Sequence, residues 1–384
     1  LGGDPAQTWC GSAPLPPNVD EYLLAGWLRG QPVPFVKCIT QDIEAPANAE
    51  IVIEGYVDPN EHRLEGPFGD HTGFYTPPDP FPVFHVTAIT HKRGAIYPTT
   101  VVGKPPMEDY WMGKATERLF LPLMQLFQGE IADVNMPAEG VFHNLVVVGL
   151  KPRFPGHAQK VMYGLWGLGL MMLSKGFVVV DADVNVHDLD AVAAAVLANV
   201  DWRRDVTVID GPVDQLDHAA IRDSYGGKIG VDATRKPDRA PVEIAPPPAE
   251  AITAAVGESW HSPRDGVVLV AVDKAQRPVR EVFDAIWDAA PEVNIVALDS
   301  FVDVQNLSDA AWRALGNVDW RRDIVIQGGP IDHFAGDDGP RGQIGIDATI
   351  KTAEDGHPRG WPVEIVMSEE VRRRVDEKWP EYGI

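Results

Sequence analysis

Two carboxylates lie five positions apart, Glu65 and Asp70, in the segment EGPFGDHTGFY (65–75), and His71 follows the second acid directly. The glycines and the proline between them favour a turn over a regular helix. On a rigid turn, burial and mutual charge can push two carboxyl pKa values apart, so that one group holds a proton near neutral pH. The same acids with His71 could bind a metal ion, or either acid could simply cap the turn. Spacing alone leaves these three interpretations open.

A third acid, Glu21, opens the segment VDEYLLAGWLRG (19–30), in which apolar residues recur at helical spacing before Gly30. The pattern predicts a helix that ends at this glycine. A carboxylate in the first turn complements the helix dipole, and a metal ligand is the alternative role for Glu21.

The elements that must position these acids change in character along the chain. The first 110 residues predict one early helix and several β-strands. A helical pattern at 107–129 follows, and strand and helix patterns then alternate, which is typical of an α/β sheet domain. The predicted strands of the first part are 32–40, 49–57, 81–92 and 95–103.

The second half of the chain contains an internal repeat. NVDWRRDVTVIDGP (199–212) returns as NVDWRRDIVIQGGP (317–330), and GKIGVDATRK (227–236) returns as GQIGIDATIK (342–351). The tetrapeptide PVEI occurs at 241–244 and again at 362–365. Two copies at this long period indicate a duplicated α/β domain rather than a solenoid.

The two copies differ at a lysine. When Asp181 is aligned with Asp299, Lys175 of the first copy stands opposite Val293 of the second. Either a ligand-binding lysine is absent from a copy kept for architecture, or a surface lysine has varied freely.

Composition narrows the function classes. The chain has 384 residues and a net charge of −23, with 45% hydrophobic residues. This charge disfavours nucleic acid or an anionic membrane as the main partner. Cys10 and Cys38 form no metal or redox motif, so we expect buried free thiols and a cytoplasmic location. The longest apolar run, at 161–173, is too short to span a bilayer.

Eight motifs in the same order resemble the UbiD family of decarboxylases, which use prenylated FMN. The motifs are SAPLP (12–16), VDEYLLAG (19–26), VKC (36–38), AEIVIEG (49–55), EGPFGDHTGFY (65–75), PPMEDYWMGKATERLFLPL (105–123), LSKGFVVVDADVNVHD (173–188) and GKIGVDATRK (227–236).

The resemblance implies an α/β fold class, α+β overall. The implied domains are a partial, β-rich, split-barrel-type flavin-binding domain (1–106), a linking helix (107–129), an α/β oligomerisation domain (130–250) and a second, duplicated α/β unit (251–384).

The resemblance also assigns roles to residues. Glu21 matches a glutamate that binds a divalent metal, usually manganese, beside the flavin phosphate. Glu65 and Asp70 match two acids of an Arg-Glu-Glu/Asp catalytic set, with Asp70 as the proton donor. The segment Ser12, Ala13 and Pro14 matches residues that line the flavin, and Lys175 matches a lysine that reaches its phosphate.

The implied cofactors are prenylated FMN and a divalent metal, with Mn²⁺ favoured and K⁺ as a further candidate ion. The implied partners are a small aromatic acid, a prenyltransferase that supplies the cofactor, and further copies of the chain in a dimer or hexamer. Likeness around 105–123 to menaquinone-biosynthesis members favours a dihydroxynaphthoate or hydroxybenzoate substrate and a place in quinone biosynthesis.

One departure from the family concerns completeness. The family's catalytic arginine and its Asn and His metal ligands lie upstream of the segment that matches LGGDP, and Arg63 is on the wrong segment to replace that arginine. We therefore expect the 384 residues alone to bind flavin poorly and to show little activity. The alternatives are a non-catalytic assembly subunit with half of a cofactor site, and a metal-dependent hydrolase that uses Glu65, Asp70 and His71.

Overall fold

The computed structural model describes residues 1–335 and 341–383. The α-helices in that part of the chain are α1 Pro5–Cys10, α2 Glu21–Arg29, α3 Glu108–Phe127, α4 His157–Trp166, α5 Leu189–Asn199, α6 Ala249–Val256, α7 Val279–Ala289, α8 Leu307–Gly316 and α9 Glu369–Lys378. The strands are β1 Phe35–Lys37, β2 Glu44–Pro46, β3 Ile51–Glu65, β4 Phe68–Gly69, β5 Tyr75–Thr76, β6 Asp79–His91, β7 Ile131–Asn135, β8 Val146–Leu150, β9 Gly176–Asp181, β10 Val206–Pro212, β11 Tyr225–Asp232, β12 Trp260–His261, β13 Val267–Val272, β14 Asn294–Asp299, β15 Ile324–Ile326 and β16 Ile344–Asp347.

The chain forms two compact units. Unit 1 contains residues 1–12 and 19–108 together with the segment that begins at Pro362, and unit 2 contains residues 13–18 and 109–361. The expected second α/β unit runs over 251–384. The structure instead returns the C-terminal segment to unit 1, where Glu364 pairs with Phe74 in an antiparallel bridge.

Unit 1 is built on the long antiparallel pair β3 and β6. The predicted early helix is present as α2, and Gly30 ends it in the left-handed conformation with a φ of 67°. The strand predicted over 95–103 is wrong, because this segment has no β structure. Its Pro98 offers no N–H to a strand ladder. Within residues 1–335 and 341–383 no sheet closes into a barrel.

Unit 2 contains two five-stranded mixed sheets with the same design. The first has the order β10-β11-β9-β8-β7 and the second the order β15-β16-β14-β13-β12. In each sheet the three central strands are parallel and both edge strands are antiparallel to their neighbours. Buried residues of both sheets, among them Val147 and Leu298, form one hydrophobic cluster. The repeat in the sequence therefore corresponds to a repeated sheet.

The repeated VDATRK and IDATIK motifs have a structural role in unit 2. The Asp232 carboxylate accepts hydrogen bonds from the amide and hydroxyl of Thr234, at 3.1 and 2.6 Å. Asp347 binds Thr349 in the same way, at the same distances. These aspartates therefore fix a turn after a buried strand, which explains their repetition without a catalytic role.

The two copies meet at a seam of reciprocal contacts. The Gly227 amide of the first copy donates to Asp319 Oδ2 of the second at 3.0 Å. The Gly342 amide of the second copy donates to Asp201 Oδ1 of the first at 3.1 Å. A Cβ atom at Gly227 would collide with the backbone nitrogen of Arg321. Equivalent residues thus bind each other's copy, as in a two-fold symmetric interface.

No helix in the described part of the chain combines the length and apolar character that a membrane crossing requires.

Candidate functional site

The two predicted acids lie at a short β-hairpin in unit 1, Glu65 before its first strand and Asp70 in its loop. Glu65 is the last residue of β3, where it stands opposite Asp79 of β6. The next strands, β4 and β5, pair over two residues each, and Asp70 follows β4 directly. The Thr76 hydroxyl donates to the Phe68 carbonyl at 3.1 Å and ties the two short strands together. The hairpin therefore fixes the backbone on both sides of Asp70.

Asp70 is the acid with the more defined surroundings. Its Oδ1 accepts a hydrogen bond from the His71 backbone amide at 2.7 Å and lies 3.1 Å from His71 Nδ1. The His71 hydrogen bond holds the pKa of Asp70 below its ordinary value, although partial burial opposes this shift. Asp70 is therefore ionised at neutral pH, and an ionised carboxylate requires the hydrogen to be on His71 Nδ1. Glu65 is exposed.

The backbone of Asp70 is part of the turn's own hydrogen bonding. Its carbonyl accepts from the Gly73 amide at 3.0 Å, and its amide donates to the Phe74 carbonyl at 3.4 Å. Thr72 and Phe74, which belong to this turn, are buried. Asp70 thus belongs to a turn with buried neighbours and internal backbone hydrogen bonds.

Glu21 is an exposed carboxylate in the first turn of α2. The N-cap role belongs to its neighbour Asp20, whose side chain accepts from the Tyr22 amide at 2.7 Å. Arg29 at the far end of α2 pairs with Asp4, the N-cap of α1, at 2.9 Å. This ion pair links the two helices.

The charge of Glu21 affects the thiol of Cys10, the last residue of α1. Burial raises the pKa of the Cys10 thiol, and the Glu21 carboxylate adds to this effect. Cys10 is buried as expected, whereas Cys38 is only half-buried, and both cysteines are free. Cys10 is therefore an uncharged thiol at neutral pH and an unsuitable metal ligand in this state.

The three residues predicted to line the flavin lie between α1 and α2. The Ser12 hydroxyl donates to the Trp9 carbonyl at 3.0 Å. The Ala13 carbonyl accepts from the Leu15 amide at 2.8 Å, and Pro14 lies between them in the chain. Ser12 Oγ is thus engaged with the end of α1 in this structure.

A hard divalent cation and a flavin phosphate require different ligand groups from these residues. Glu21 supplies the oxygen chemistry that Mn²⁺ or Mg²⁺ prefers, and its exposure leaves the carboxylate accessible. Glu21 fits the metal role, with the remaining ligands of a six-coordinate ion to come from other groups.

Lys175 does not fit a phosphate ligand in this structure. It lies in unit 2, only 1% exposed, and its Nζ is 2.7 Å from Asp217 Oδ2. The same Nζ is also within 3.5 Å of the carbonyls of Leu315 and Gly316, in the last turn of α8. Lys175 of the first copy therefore holds the end of a helix of the second copy.

Sequence reasoning missed the buried partners of Lys175. Burial raises the pKa of Asp217, but the Lys175 ammonium outweighs it and holds this pKa below the ordinary range. Burial lowers the pKa of the adjacent His218 to about 4, so its ring is neutral. His218 Nε2 lies 3.0 Å from Asn317 Oδ1 of the second copy. One signal in the sequence could have revealed these partners. Lys175 stands at the start of a buried strand, and a buried lysine requires a buried countercharge.

An open groove of about 750 Å³ runs along α2. Tyr22, Trp27 and Phe35 are among the residues that line it.

Two family models match the chain. Residues 1–105 match the Rift-related domain of 3-octaprenyl-4-hydroxybenzoate carboxy-lyase, UbiD. Residues 110–233 and 250–348 match the C-terminal domain of the same carboxy-lyase. The second match falls on both sheets of unit 2.

Curated relatives match over much of this chain. An uncharacterized protein of Archaeoglobus fulgidus is 54% identical over 237 residues, which are 62% of this chain and 49% of that protein. An uncharacterized protein of Helicobacter pylori is 36% identical over 390 aligned residues, which cover 98% of this chain and 61% of that protein. The chain thus spans about half the length of the A. fulgidus relative.

Solved structures resemble the chain over a similar share. The UbiD-class enzyme HmfF from Pelotomaculum thermopropionicum, in complex with FMN, matches with a TM-score of 0.55 and 32% identity over 61% of this chain and 52% of that chain. The vanillic acid decarboxylase of Sedimentibacter hydroxybenzoicus in its open form matches with a TM-score of 0.55 and 28% identity over 64% of this chain and 54% of that chain.

Proposed function

The chain belongs to the UbiD carboxy-lyase family, and from this premise we propose that the protein is a non-oxidative decarboxylase of an aromatic or α,β-unsaturated carboxylic acid that uses prenylated FMN. The similar solved structures include enzymes in complex with FMN and with prenylated FMN. The reaction is proposed for the whole protein, because this chain spans about half of its A. fulgidus relative.

The observation that carries this proposal is the position of Asp70 on the hairpin. A decarboxylase must return a proton to the carbon that loses its carboxylate. Asp70 is a partly exposed carboxyl on a turn with a fixed backbone, and Glu65 ends the strand that leads into the same hairpin. A positioned acid contributes typically 10²- to 10⁴-fold to such a proton transfer.

Loss of CO₂ leaves an unstable carbanion, and bound prenylated FMN supplies the electron sink that this chemistry needs. Asp70, ionised at rest, takes up a proton at its carboxylate and then delivers it to that carbon. The proton comes from solvent, and His71 Nδ1, at 3.1 Å from Asp70 Oδ1, orients the carboxylate that receives it. Glu65 contributes charge and hydrogen bonding beside this acid.

The proposed binding roles follow the family resemblance. Glu21 holds a divalent metal, with Mn²⁺ favoured, and residues 12–14 lie along the flavin. For the substrate we propose a hydroxybenzoate or dihydroxynaphthoate of quinone biosynthesis. The family description names a hydroxybenzoate carboxy-lyase, and a similar structure is that of a vanillic acid decarboxylase, which support a phenolic acid. Assembly into a homo-oligomer is part of the same proposal.

The experiment is an assay of the full-length protein produced together with a flavin prenyltransferase. We expect an absorption spectrum of bound modified flavin and the release of CO₂ from a hydroxybenzoate or dihydroxynaphthoate panel. The 384-residue chain alone serves as the comparison. A protein that binds the cofactor and releases no CO₂ from any acid of the panel would contradict the proposal.

A non-catalytic assembly subunit is the second candidate, and the burial of Lys175 against Asp217 favours it, because this lysine is engaged in joining the two copies. The two candidates differ in cofactor stoichiometry. A decarboxylase binds one flavin per full-length chain, whereas an assembly subunit binds flavin only together with a separate catalytic chain.

A further inference from the structure

The C-terminal segment of unit 1 forms a short strand against the turn that contains Asp70. Glu364 and Phe74 pair in an antiparallel bridge. The Tyr75 amide donates to the Val363 carbonyl at 2.8 Å, and the Ile365 amide donates to the Gly73 carbonyl at 2.9 Å. Residues 363–365, named here the C-terminal support strand, therefore bind the hairpin on both sides of Phe74.

These hydrogen bonds continue directly to Asp70. Gly73, which accepts from the support strand, donates its own amide to the Asp70 carbonyl at 3.0 Å. Phe74, at the centre of the bridge, accepts from the Asp70 amide at 3.4 Å. Both backbone polar groups of Asp70 are thus bonded to the two residues that the support strand holds.

Side chains reinforce the same contact. Ile365 is buried, and a Cβ atom placed on Gly69 would lie 3.0 Å from Ile365 Cδ1 and 3.2 Å from Val102 Cγ2. Gly69, the residue before Asp70, is therefore packed closely against the support strand. Lys104 Nζ pairs with Glu364 Oε1 at 2.7 Å and adds an ionic contact on the other side.

The internal repeat shows that this use of the tetrapeptide PVEI is specific to the second copy. In the first copy, the Val242 amide donates to the Ala198 carbonyl of the neighbouring helix α5 at 2.9 Å. In the second copy, the equivalent Val363 accepts from Tyr75 of the hairpin. The first PVEI therefore binds helix α5 of its own copy, and the second binds the turn that contains Asp70.

We propose that residues 363–365 are a positioning strand for Asp70, so that the end of the second α/β copy sets the direction of the proton donor; this proposal rests on the proposed function. Strands β4 and β5 are only two residues long, and a two-stranded hairpin is at best marginally stable in water. The support strand supplies the third strand. Reactions are sensitive to displacements of about 1 Å in a catalytic group.

The test compares proline substitutions at two adjacent positions in the full-length protein. Ile365→Pro removes the amide that binds Gly73, and Ile365→Ala retains this amide but loses the buried side chain. Val366→Pro is the matched control, because Val366 is exposed and its amide lies outside the ladder. Glu364→Gln weakens the same strand without removing a backbone hydrogen bond and is measured if Ile365→Pro does not fold.

The first measurement is the ¹³C NMR titration of the Asp70 carboxyl, assigned with Asp70→Asn. We expect Ile365→Pro to raise its midpoint by about 0.5 pH unit or more, toward an ordinary aspartate. A smaller rise is expected in Ile365→Ala and Glu364→Gln, and none in Val366→Pro. The second measurement is turnover, for which we expect a roughly tenfold or larger loss of kcat in Ile365→Pro with KM nearly unchanged.

The two proposals fail in different ways. An Asp70 titration that is unchanged in Ile365→Pro, or in Glu364→Gln where that variant replaces it, overturns the positioning role, even if amides of the hairpin exchange faster. Absence of turnover in the wild-type protein contradicts the proposed function instead, and the titration needs neither cofactor nor substrate.

Discussion

At the scale of single residues, Asp70 and His71 form the most informative pair. The His71 backbone amide and ring nitrogen both lie within 3.1 Å of the same carboxylate oxygen. This oxygen is therefore held between two potential donors, which stabilises the charged form of Asp70. The sequence shows the two residues as neighbours, but the direction of the ring and its effect on the carboxyl pKa depend on the hairpin.

Replacement of His71 tests this coupling. In His71→Phe the ring donor is lost, so we expect the pKa of Asp70 to rise toward the ordinary value of 3.8. A carboxyl with a lowered folded-state pKa stabilises the fold above its unfolded pKa, and this contribution disappears as the pH falls through the folded pKa. ¹³C NMR of the carboxyl measures the shift. An unchanged midpoint would show that the ring does not set the charge of Asp70.

Lys175 gives a second prediction at this scale. Lys175→Met leaves Asp217 as a buried charge without its cation, so we expect unit 2 to lose about 3 to 5 kcal/mol of unfolding free energy. Urea denaturation followed by tryptophan fluorescence measures this loss.

The controls separate charge from packing at Lys175. Lys175→Met combined with Asp217→Asn removes both charges and should recover part of the loss. Lys160→Met, at an exposed position, should have little effect. A Lys175→Met protein as stable as wild type but unable to retain flavin would indicate a phosphate ligand rather than a structural lysine.

At the scale of elements, sequence patterns predicted what depends on local periodicity and end signals. Gly30 ends α2, and the alternation of strands and helices predicted after residue 129 is present in unit 2. The strand prediction at 95–103 was wrong, because it gave the β-branched residues more weight than Pro98. The hairpin of the short strands β4 and β5 is hydrogen-bonded to the distant residues 363–365, and no local pattern reveals this contact.

The seam between the copies gives an element-scale prediction. In Gly227→Ala the new methyl group would collide with the backbone of Arg321 and with the Asp319 carboxylate. We expect a loss of about 1 to 3 kcal/mol, and a similar loss in Gly342→Ala, where Arg203 lies in the way. Gly360→Ala is the control, since nothing lies within 4 Å of its added Cβ. Thermal unfolding measures all three variants, and equal stabilities would contradict the seam.

The buried His218 predicts an acid-sensitive seam. Its pKa is about 4 in the folded protein against 6.5 as the ordinary value, so the unfolded chain binds a proton first as the pH falls. Stability should therefore decline between about pH 6.5 and 4, by at most about 3 kcal/mol from this group. Asp217, Lys175 and Arg359 are the charged groups that act on the ring.

Urea unfolding at several pH values between 7 and 4 measures this decline. His218→Gln retains a donor for Asn317 and cannot take up a proton, so its stability should vary less over the same range. His157 and His357 also have lowered pKa values through burial and remain in both proteins. A variant with the same pH dependence as wild type would exclude His218 as the source.

At the scale of the whole chain, the internal repeat predicted the duplicated sheets of unit 2, because repeated sequence produces repeated structure. It did not predict that the second PVEI returns to unit 1, since the two tetrapeptides are identical and only their neighbours differ. The sequence also did not predict the ion pair between Lys175 and Asp217, because this pair depends on how the two copies pack.

In the proposed reaction, Asp70 delivers the proton that replaces CO₂. The most direct measurement uses the full-length protein loaded with prenylated FMN and a phenolic acid substrate in D₂O, with mass spectrometry of the product. We expect one deuterium at the carbon that carried the carboxylate. Asp70→Asn should form this product about 10²-fold or more slowly. Asp79→Asn, at the exposed acid opposite Glu65, should form it at nearly the wild-type rate. Undiminished product formation by Asp70→Asn would show that Asp70 is not the proton donor.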